Sequence, residues 1–446
     1  MKKQLLLFII FIFQVGYAQI PAGTFVFTNG GGAGLKNLWN NSFNWSIADG
    51  LGGFITSGTP PTPTDNVLID ISSILVSGPV IGGVSSNSVI IIDDVASCKT
   101  FSLLNTTPNK GLLFTTTNAA LNVNGHFDLS GPTSFSVNRA YGYLYGKLNF
   151  LGTSTSPFNI KTNNNNIELF DINISGSYIL QDNFNQTPIV FTNAQTNFNI
   201  TGSSPNFNTN NKSIRTTVFY IKNDVVSPVL DFQNSNIKSC FFQVEGSPTT
   251  YTYNTSLANI QLTDTLGAFN SGFIRYNFNT GISSFSVNTI NCSSTTKALI
   301  NAGYTHVFTN SLTTNCNTEF GNYVNGTQVG IEATNFIITK SALISGYTNA
   351  YSPYPFKCTS IIVPGTCDKQ VTFVSSTSYA YNMNIQNANT LNYTNWGDIN
   401  ILGPGSIVAN NSSDLGGNMG SITINISAPK RWLGAEALLL MIGMIH

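Results

Sequence analysis

The sequence predicts an all-β fold, an elongated right-handed parallel β-helix or solenoid. Three observations carry that expectation. From Val67 to about Leu343, apolar runs of three to six residues alternate with turns rich in Asn, Gly, Ser and Thr, without a clear linker. The runs recur at roughly rung spacing with loose self-similarity, as stacked supersecondary units would. Asn collects at strand edges and turns, as at Asn163 to Asn166 and Asn208 to Asn211, where it tolerates left-handed backbone and bonds the chain locally. No window shows a 3.6-residue period, and Asn, Gly, Thr and Ser disfavour helix. A tandem of β-sandwich modules is the competing architecture.

The elements follow in order. Residues 1–18 read as a signal peptide. Lys2 and Lys3 precede an apolar stretch over 5–13, and Gly16-Tyr17-Ala18 offers small residues for cleavage after Ala18. The apolar stretch is well short of the roughly 20 residues that span a bilayer, so no membrane span is expected after cleavage. Residues 19–65 form an N-terminal cap. In it a strand at Thr24-Phe25-Val26-Phe27 and a glycine-rich loop lead to Trp39-Asn40-Asn41-Ser42-Phe43-Asn44-Trp45-Ser46. Two of the four tryptophans thus lie six residues apart. They suit a cap or joint that buries large apolar area, with Trp39 and Trp45 packed on the first strands near Val67 to Ile71. The alternative is a ligand platform with both indoles in solvent.

The solenoid body spans 66–350. Its strands include Val89-Ile90-Ile91-Ile92, Ala120-Leu121-Asn122-Val123, Lys147-Leu148-Asn149-Phe150 and Val218-Phe219-Tyr220-Ile221. Alternation at period two marks half-buried strands. From about Tyr351 prolines and cysteines become denser, and 351–428 reads as terminal rungs or as a small closing β module.

Composition removes several function classes. Lys and Arg total 19 and so do Asp and Glu, and charged residues are 9% of the chain. Ordinary domains carry about 25%. About one residue in eight is Asn, which supplies the polar surface instead. Such a surface gives no electrostatic footprint for nucleic acid. Six cysteines are too sparse for a disulfide-built scaffold. Cys358 and Cys367 flank the turn Val363-Pro364-Gly365 and are the expected disulfide pair, with two buried free thiols as the alternative.

The chemistry of sites is sparse. Glycoside cleavage uses two positioned carboxyls. Asp93-Asp94 is the only adjacent acidic pair, and neighbours on a strand face opposite ways. Asp65 and Asp70 also alternate faces. His126 and His306 are the only internal histidines, and no Cys or His spacing resembles a zinc site. No EF-hand pattern, glycine-rich nonapeptide or Gly-x-Ser-x-Gly elbow appears. No catalytic, cofactor-binding or metal-ligating residue is therefore assigned, and no cofactor is expected. Structural calcium on the Asp/Asn/Gly loops is the one metal reading kept open.

Several motifs carry a resemblance. Trp39-Asn40 with Trp45-Ser46, the following prolines with Asp65-Asn66-Val67, Cys367-Asp368, and Asn410-Asn411-Ser412 with Asp414-Leu415-Gly416 and Asn418 resemble the large repetitive cell-surface proteins of Bacteroidetes bacteria. Those proteins repeat a unit opening Trp-Gly-Gly…Trp-Asn-Asp…His-Trp-Ser and ending Asn-Ser…Asp-Leu-Gly-Asn. The likeness covers most of Thr24 to Arg431. Asn44 stands where the family usually has His, and Ser421 where it often has Trp. The resemblance implies a solenoid-like secreted or surface protein and no catalytic residues. It implies the type IX secretion route with a C-terminal sorting domain, and no such domain is read in this sequence. It also makes Asp264-Thr265-Leu266 a three-residue match to the O-glycan acceptor of that group, with Thr265 as acceptor and an ordinary loop as the competing reading.

The tail reads as a fresh start. Arg431-Trp432-Leu433-Gly434 echoes the opening motif, and residues 435–445 are apolar with little β signal. Read one base earlier, the codons of the last six residues give Asn- and Asp-compatible text. Residues 429–446 are thus expected to begin a second unit that a frameshift cuts short; a genuine apolar tail is the alternative.

Together these readings give a non-enzymatic secreted or cell-surface structural, adhesin-like protein, a truncated piece of a larger repetitive one. Glycans or other surface proteins are its expected partners. The alternative is an extracellular carbohydrate-binding or polysaccharide-degrading β-helix protein.

Overall fold

A computed structural model describes residues 20–31, 36–69, 80–81, 84–85, 89–103, 110–130, 135–139, 146–186, 196–222, 224–246, 251–266, 274–280, 284–301, 305–321, 330–346, 356–376 and 380–426. The expected signal segment at 1–18, the tail at 429–446, Asp70 and Ile71 lie outside them. The fold is all-β, built from long parallel stacks of short strands, as a β-solenoid is. Among the described residues the helical turns are two 3₁₀ turns, Ser42–Asn44 and Asp264–Leu266. The chain divides into two compact units, 1–271 and 272–446.

In the first unit each coil contributes one strand to each of three parallel stacks. Val89–Ile92, Val95–Cys98 and Thr100–Leu103 make one such coil, and Lys110–Phe114, Ala120–Val123 and Phe127–Asp128 make the next. Each strand pairs in register with its counterpart one coil away. Period-two alternation then sends whole columns of side chains inward. Ala96, Leu121, Leu148, Ile172, Phe198, Phe219 and Phe242 sit one on another and are all buried. Phe198, Phe219 and Phe242 stack with centroids 5.6 and 5.3 Å apart and interplanar angles of 9° and 6°. Each such fully buried side chain contributes about 1.5–3 kcal/mol.

The outward columns solve a different problem, because polar side chains on adjacent strands must share partners. They form ladders. Asn149 Nδ2 donates to Asn122 Oδ1 at 2.8 Å, Asn173 to Asn149 at 2.7 Å and Asn199 to Asn173 at 2.9 Å. These donors and acceptors lie 27, 24 and 26 residues apart in sequence, which is the coil length. The turns use Asn for its backbone tolerance. Asn163, Asn164, Asn210 and Asn211 have φ of 55°, 55°, 50° and 59°. Asp182 clamps one of these turns by accepting from the backbone N–H of Thr162 at 3.0 Å and of Asn163 at 2.5 Å.

The N-terminal cap is an antiparallel extension of the first stack. Phe25–Phe27 pairs parallel with Asn66–Ile69 and antiparallel with Trp45–Ala48, which pairs antiparallel with Phe54–Thr56. The loop before it is tied down at several points. Trp39 N–H donates to Ile91 O at 2.9 Å, and Asn44 Nδ2 donates to Leu38 O at 2.8 Å while its Oδ1 accepts from Gly31 N–H. The two indoles are completely buried. Trp45 Nε1 donates to Trp39 O at 2.7 Å, and the two rings meet edge-on at 4.7 Å. Trp39 then stacks on Phe101 at 6.4 Å, and the aromatic contact continues through Phe127 and Phe150 to Tyr178.

The second unit stacks longer strands. Ser284–Ser293, His306–Thr314, Ile331–Ile338, Phe356–Ile362, Tyr381–Ile385 and Ile399–Leu402 form one parallel stack. Lys297–Asn301, Asn317–Gly321, Ala342–Gly346, Val371–Ser375 and Thr394–Gly397 belong to another. The shift in sequence texture near 351 falls inside this unit. Ile331 pairs with Phe356 and Ala342 with Val371, so the strands after 351 continue the same stacks. Trp396 is buried flat on Phe373 at 4.2 Å.

These contacts rank the two kinds of column. Trp39→Ala removes an indole packed against two rings and is expected to cost about 3–5 kcal/mol. Asn149→Ala deletes the middle of an amide ladder and is expected to cost about 1–2 kcal/mol. Urea unfolding measures both, and equal costs would refute this ranking.

Candidate functional site: a polar cleft in the second unit

The residues singled out in the sequence do not come together. Thr265 is the exposed residue of the turn Asp264–Leu266, with its hydroxyl 3.0 Å from Thr263 Oγ1. Asp93 and Asp94 sit at the corner between Val89–Ile92 and Val95–Cys98, where Asp93 accepts from Asn40 Nδ2 at 3.4 Å. Asp65 accepts from the backbone and hydroxyl of Thr62. His126 is exposed, and its Nδ1 accepts from Asn159 N–H at 3.0 Å. Each of these acts locally on its own turn or neighbouring strand. Among the described residues no group of three or more His, Cys, Asp or Glu stands together as a metal site.

The expected Cys358–Cys367 disulfide is corrected by the structure. Both are free thiols, Cys358 buried and Cys367 exposed. The cause is strand alternation. Cys358 is an inward residue of Phe356–Ile362, set between Ala333 and Ile385, whereas Cys367 lies in the turn beyond. Cys98, Cys240, Cys292 and Cys316 are buried free thiols too. Burial pushes the Cys240 thiol up to about 11 and Cys358 up to about 12, and raises Cys98 and Cys292 still further.

Among the described residues the fold assembles a cleft of about 440 Å³ within the second unit. It is lined by His306, Gly330, Ile331, Glu332, Lys357, Asn384, Gln386, Gly403 and Pro404. In-register stacking makes it. Ser286, Phe308, Glu332, Lys357 and Asn384 are successive lateral partners on five strands. His306 lies two residues before Phe308 on the same outward face, with ring centroids 3.9 Å apart. Glu332 is the hub. Its Oε1 accepts from Lys357 Nζ at 2.8 Å and its Oε2 pairs with His306 Nε2 at 3.1 Å. Gln386 donates to Asn384 Oδ1. Gly403, at φ 91°, closes the wall, where a Cβ would fall on Asn384 Oδ1 and Ile385 O.

The electrostatics follow from these distances. Half-burial pushes the His306 imidazole below its ordinary value of 6.5; Glu332 pulls it up and Lys357 pushes it down, and burial prevails. Near neutral pH the imidazole is therefore neutral, beside the paired Glu332 and Lys357 side chains. Both carboxylate oxygens are already engaged. Two-carboxyl glycoside cleavage has no second carboxyl in this cleft. What the arrangement offers is a fixed set of donors and acceptors beside one partly exposed ring, Phe308, at 37% exposure. Sequence reading missed Glu332 and Lys357 and met His306 only as a lone histidine. The available signal was the coil length of about 25 residues that brings Phe308, Glu332 and Lys357 into one row.

No family model, curated protein or solved structure matches the chain. No helix among the described residues is long and apolar enough to cross a membrane.

Two outcomes are expected. The His306 ring, followed by NMR, should titrate below 6.5, and Glu332→Gln should lower it further by removing the attraction to the carboxylate. Because the folded value lies below the unfolded one, His306 contributes stability that is present above about pH 6.5 and lost as pH falls through the folded value. A midpoint at or above 6.5 would contradict the burial argument. Separately, a thiol reagent should modify Cys367 alone in the native chain and all six cysteines after denaturation. Rapid native modification of Cys358 would show that the strand does not bury it.

Proposed function

We propose that the chain is a non-enzymatic, adhesin-like structural protein of the cell surface or extracellular space, one piece of a larger repetitive protein. The observation that carries this reading is the outward amide ladder Asn122–Asn149–Asn173–Asn199. It repeats one amide over four successive coils, half-buried at the first three and buried at Asn199, whose Nδ2 also donates to the Asp171 carboxylate. A repeated neutral face suits many weak, equivalent contacts, whose sum gives avidity without any single tight site. The balanced total charge points the same way, since it gives no steering toward a strongly charged partner. The signal-like first 18 residues support export, and the resemblance of the Trp39 to Ser46 and Asn410 to Asn418 motifs to Bacteroidetes surface proteins supports the location.

A second reading, carbohydrate binding, is favoured by the cleft around Glu332. Its polysaccharide-cleaving form is not, because Glu332 is the cleft's single carboxylate and is held by Lys357 and His306.

The test couples purified chain to beads and measures their retention on polysaccharide-coated and bacterial-cell surfaces at low and high salt. Retention that survives high salt is expected, because the contacts are uncharged. The same polysaccharides should release no reducing ends on prolonged incubation with the chain. Beads that adhere to nothing, or a steady release of reducing ends, would overturn the reading.

A further inference from the structure

We propose that the cleft formed by His306, Glu332, Lys357 and Asn384 is a subsite for a neutral glycan chain, laid across the strands with one ring against Phe308. The inference rests on the adhesive reading and gives it a partner class and an address.

The row supplies the length. Ser286, Phe308, Glu332, Lys357 and Asn384 follow one another on five adjacent strands. With about 4.8 Å between strands, the row extends over about 19 Å, enough for several linked sugar rings. The chemistry supplies the class. Sugar hydroxyls both donate and accept, and they are recognised by fixed amides and charged groups of both kinds. The cleft provides these in Asn384 and Gln386, and in the Lys357 ammonium, which keeps further N–H donors beyond the one given to Glu332. Phe308 adds the apolar surface that the C–H face of a pyranose requires, and its ring is fixed by the imidazole 3.9 Å away.

Charge selects against the other polymers. Glu332 is paired with Lys357 at 2.8 Å, so the site carries no surplus of either sign. A uronate chain finds no unpaired cation to neutralise it. A polyamine chain finds no unpaired carboxylate. A neutral chain has no such debt, because it brings only hydroxyls and ring oxygens. The position also fits a polymer rather than a metabolite, since the row lies on the outward face of a strand stack instead of in an enclosed chamber.

The experiment uses the full chain and isothermal titration with xylohexaose, mannohexaose and cellohexaose as neutral probes. Oligogalacturonate serves as the acidic probe and oligochitosan as the cationic one. Saturable binding of at least one neutral probe is expected, in preference to both charged ones. Phe308→Ala and Lys357→Met should each weaken it by about tenfold or more, the equivalent of about 1.4 kcal/mol. Both variants change outward side chains, and circular dichroism with thermal unfolding checks that they keep the fold. No saturable binding of any neutral probe overturns the proposal, as does preference for a charged probe or indifference of both variants. The bead assay separates the two levels. Beads that adhere equally well with both variants leave the surface reading intact and sink the subsite. Beads that never adhere, while the neutral probe binds and the variants weaken it, sink the adhesive reading alone.

Discussion

Everything in this structure depends on one constraint: each residue sits directly over its counterpart one coil away. Parallel in-register pairing sets each side chain against its counterpart, so neighbours in a column must suit one another, as Ala96 suits Leu121 and Ile172 suits Phe198. Phe198, Phe219 and Phe242 satisfy this by stacking almost flat. Asn122, Asn149, Asn173 and Asn199 satisfy it because an amide is both donor and acceptor, so each donates to the one before, and the column ends at Asn199, whose counterpart on the next coil is Tyr220. A column of carboxylates or ammoniums could not do so, since like charges directly opposite repel. The scarcity of charge in the sequence is the compositional trace of that rule. Glu332 beside Lys357 sets opposite signs together in an outward row, whereas Arg215 beside Lys238 sets two cations side by side.

The same constraint explains how much of the fold could be read in advance. The all-β class and the left-handed Asn turns are local properties written in a window of a few residues, and the coil-like recurrence shows as their repetition along the chain. The burial of Trp39 and Trp45 was also legible, because two of the four tryptophans lie six residues apart at the start of the strand run. The aromatic path from Trp45 through Trp39 and Phe101 to Tyr178 was not, since it joins residues from separate coils. The division into units at 271 and 272 left no mark in composition comparable to the shift near 351, although the strands described after that shift join the same stacks as those before it.

The cleft was hidden for a related reason. His306, Glu332 and Lys357 meet only if the register is known to the residue, and the register depends on turn lengths that vary from coil to coil. A slip of one residue would turn Glu332 inward. The cysteines show the converse error. Cys358 and Cys367 are close in sequence and flank a turn, but Cys358 is an inward residue of its strand while Cys367 stays outside. Proximity along the chain was a poor guide, and facing was the better one.

The Asn ladder has a hereditary consequence. Its bonds join each coil only to the ones before and after, at 2.7–2.9 Å between successive amides. Duplicating or deleting about one coil of coding sequence would leave each surviving rung with a suitable neighbour, as expected of quasi-one-dimensional folds. A gene for such a chain can lengthen or shorten by recombination between its own repeats without passing through a misfolded intermediate. Such a change would alter the number of coils and leave the pairing within each remaining stack in place.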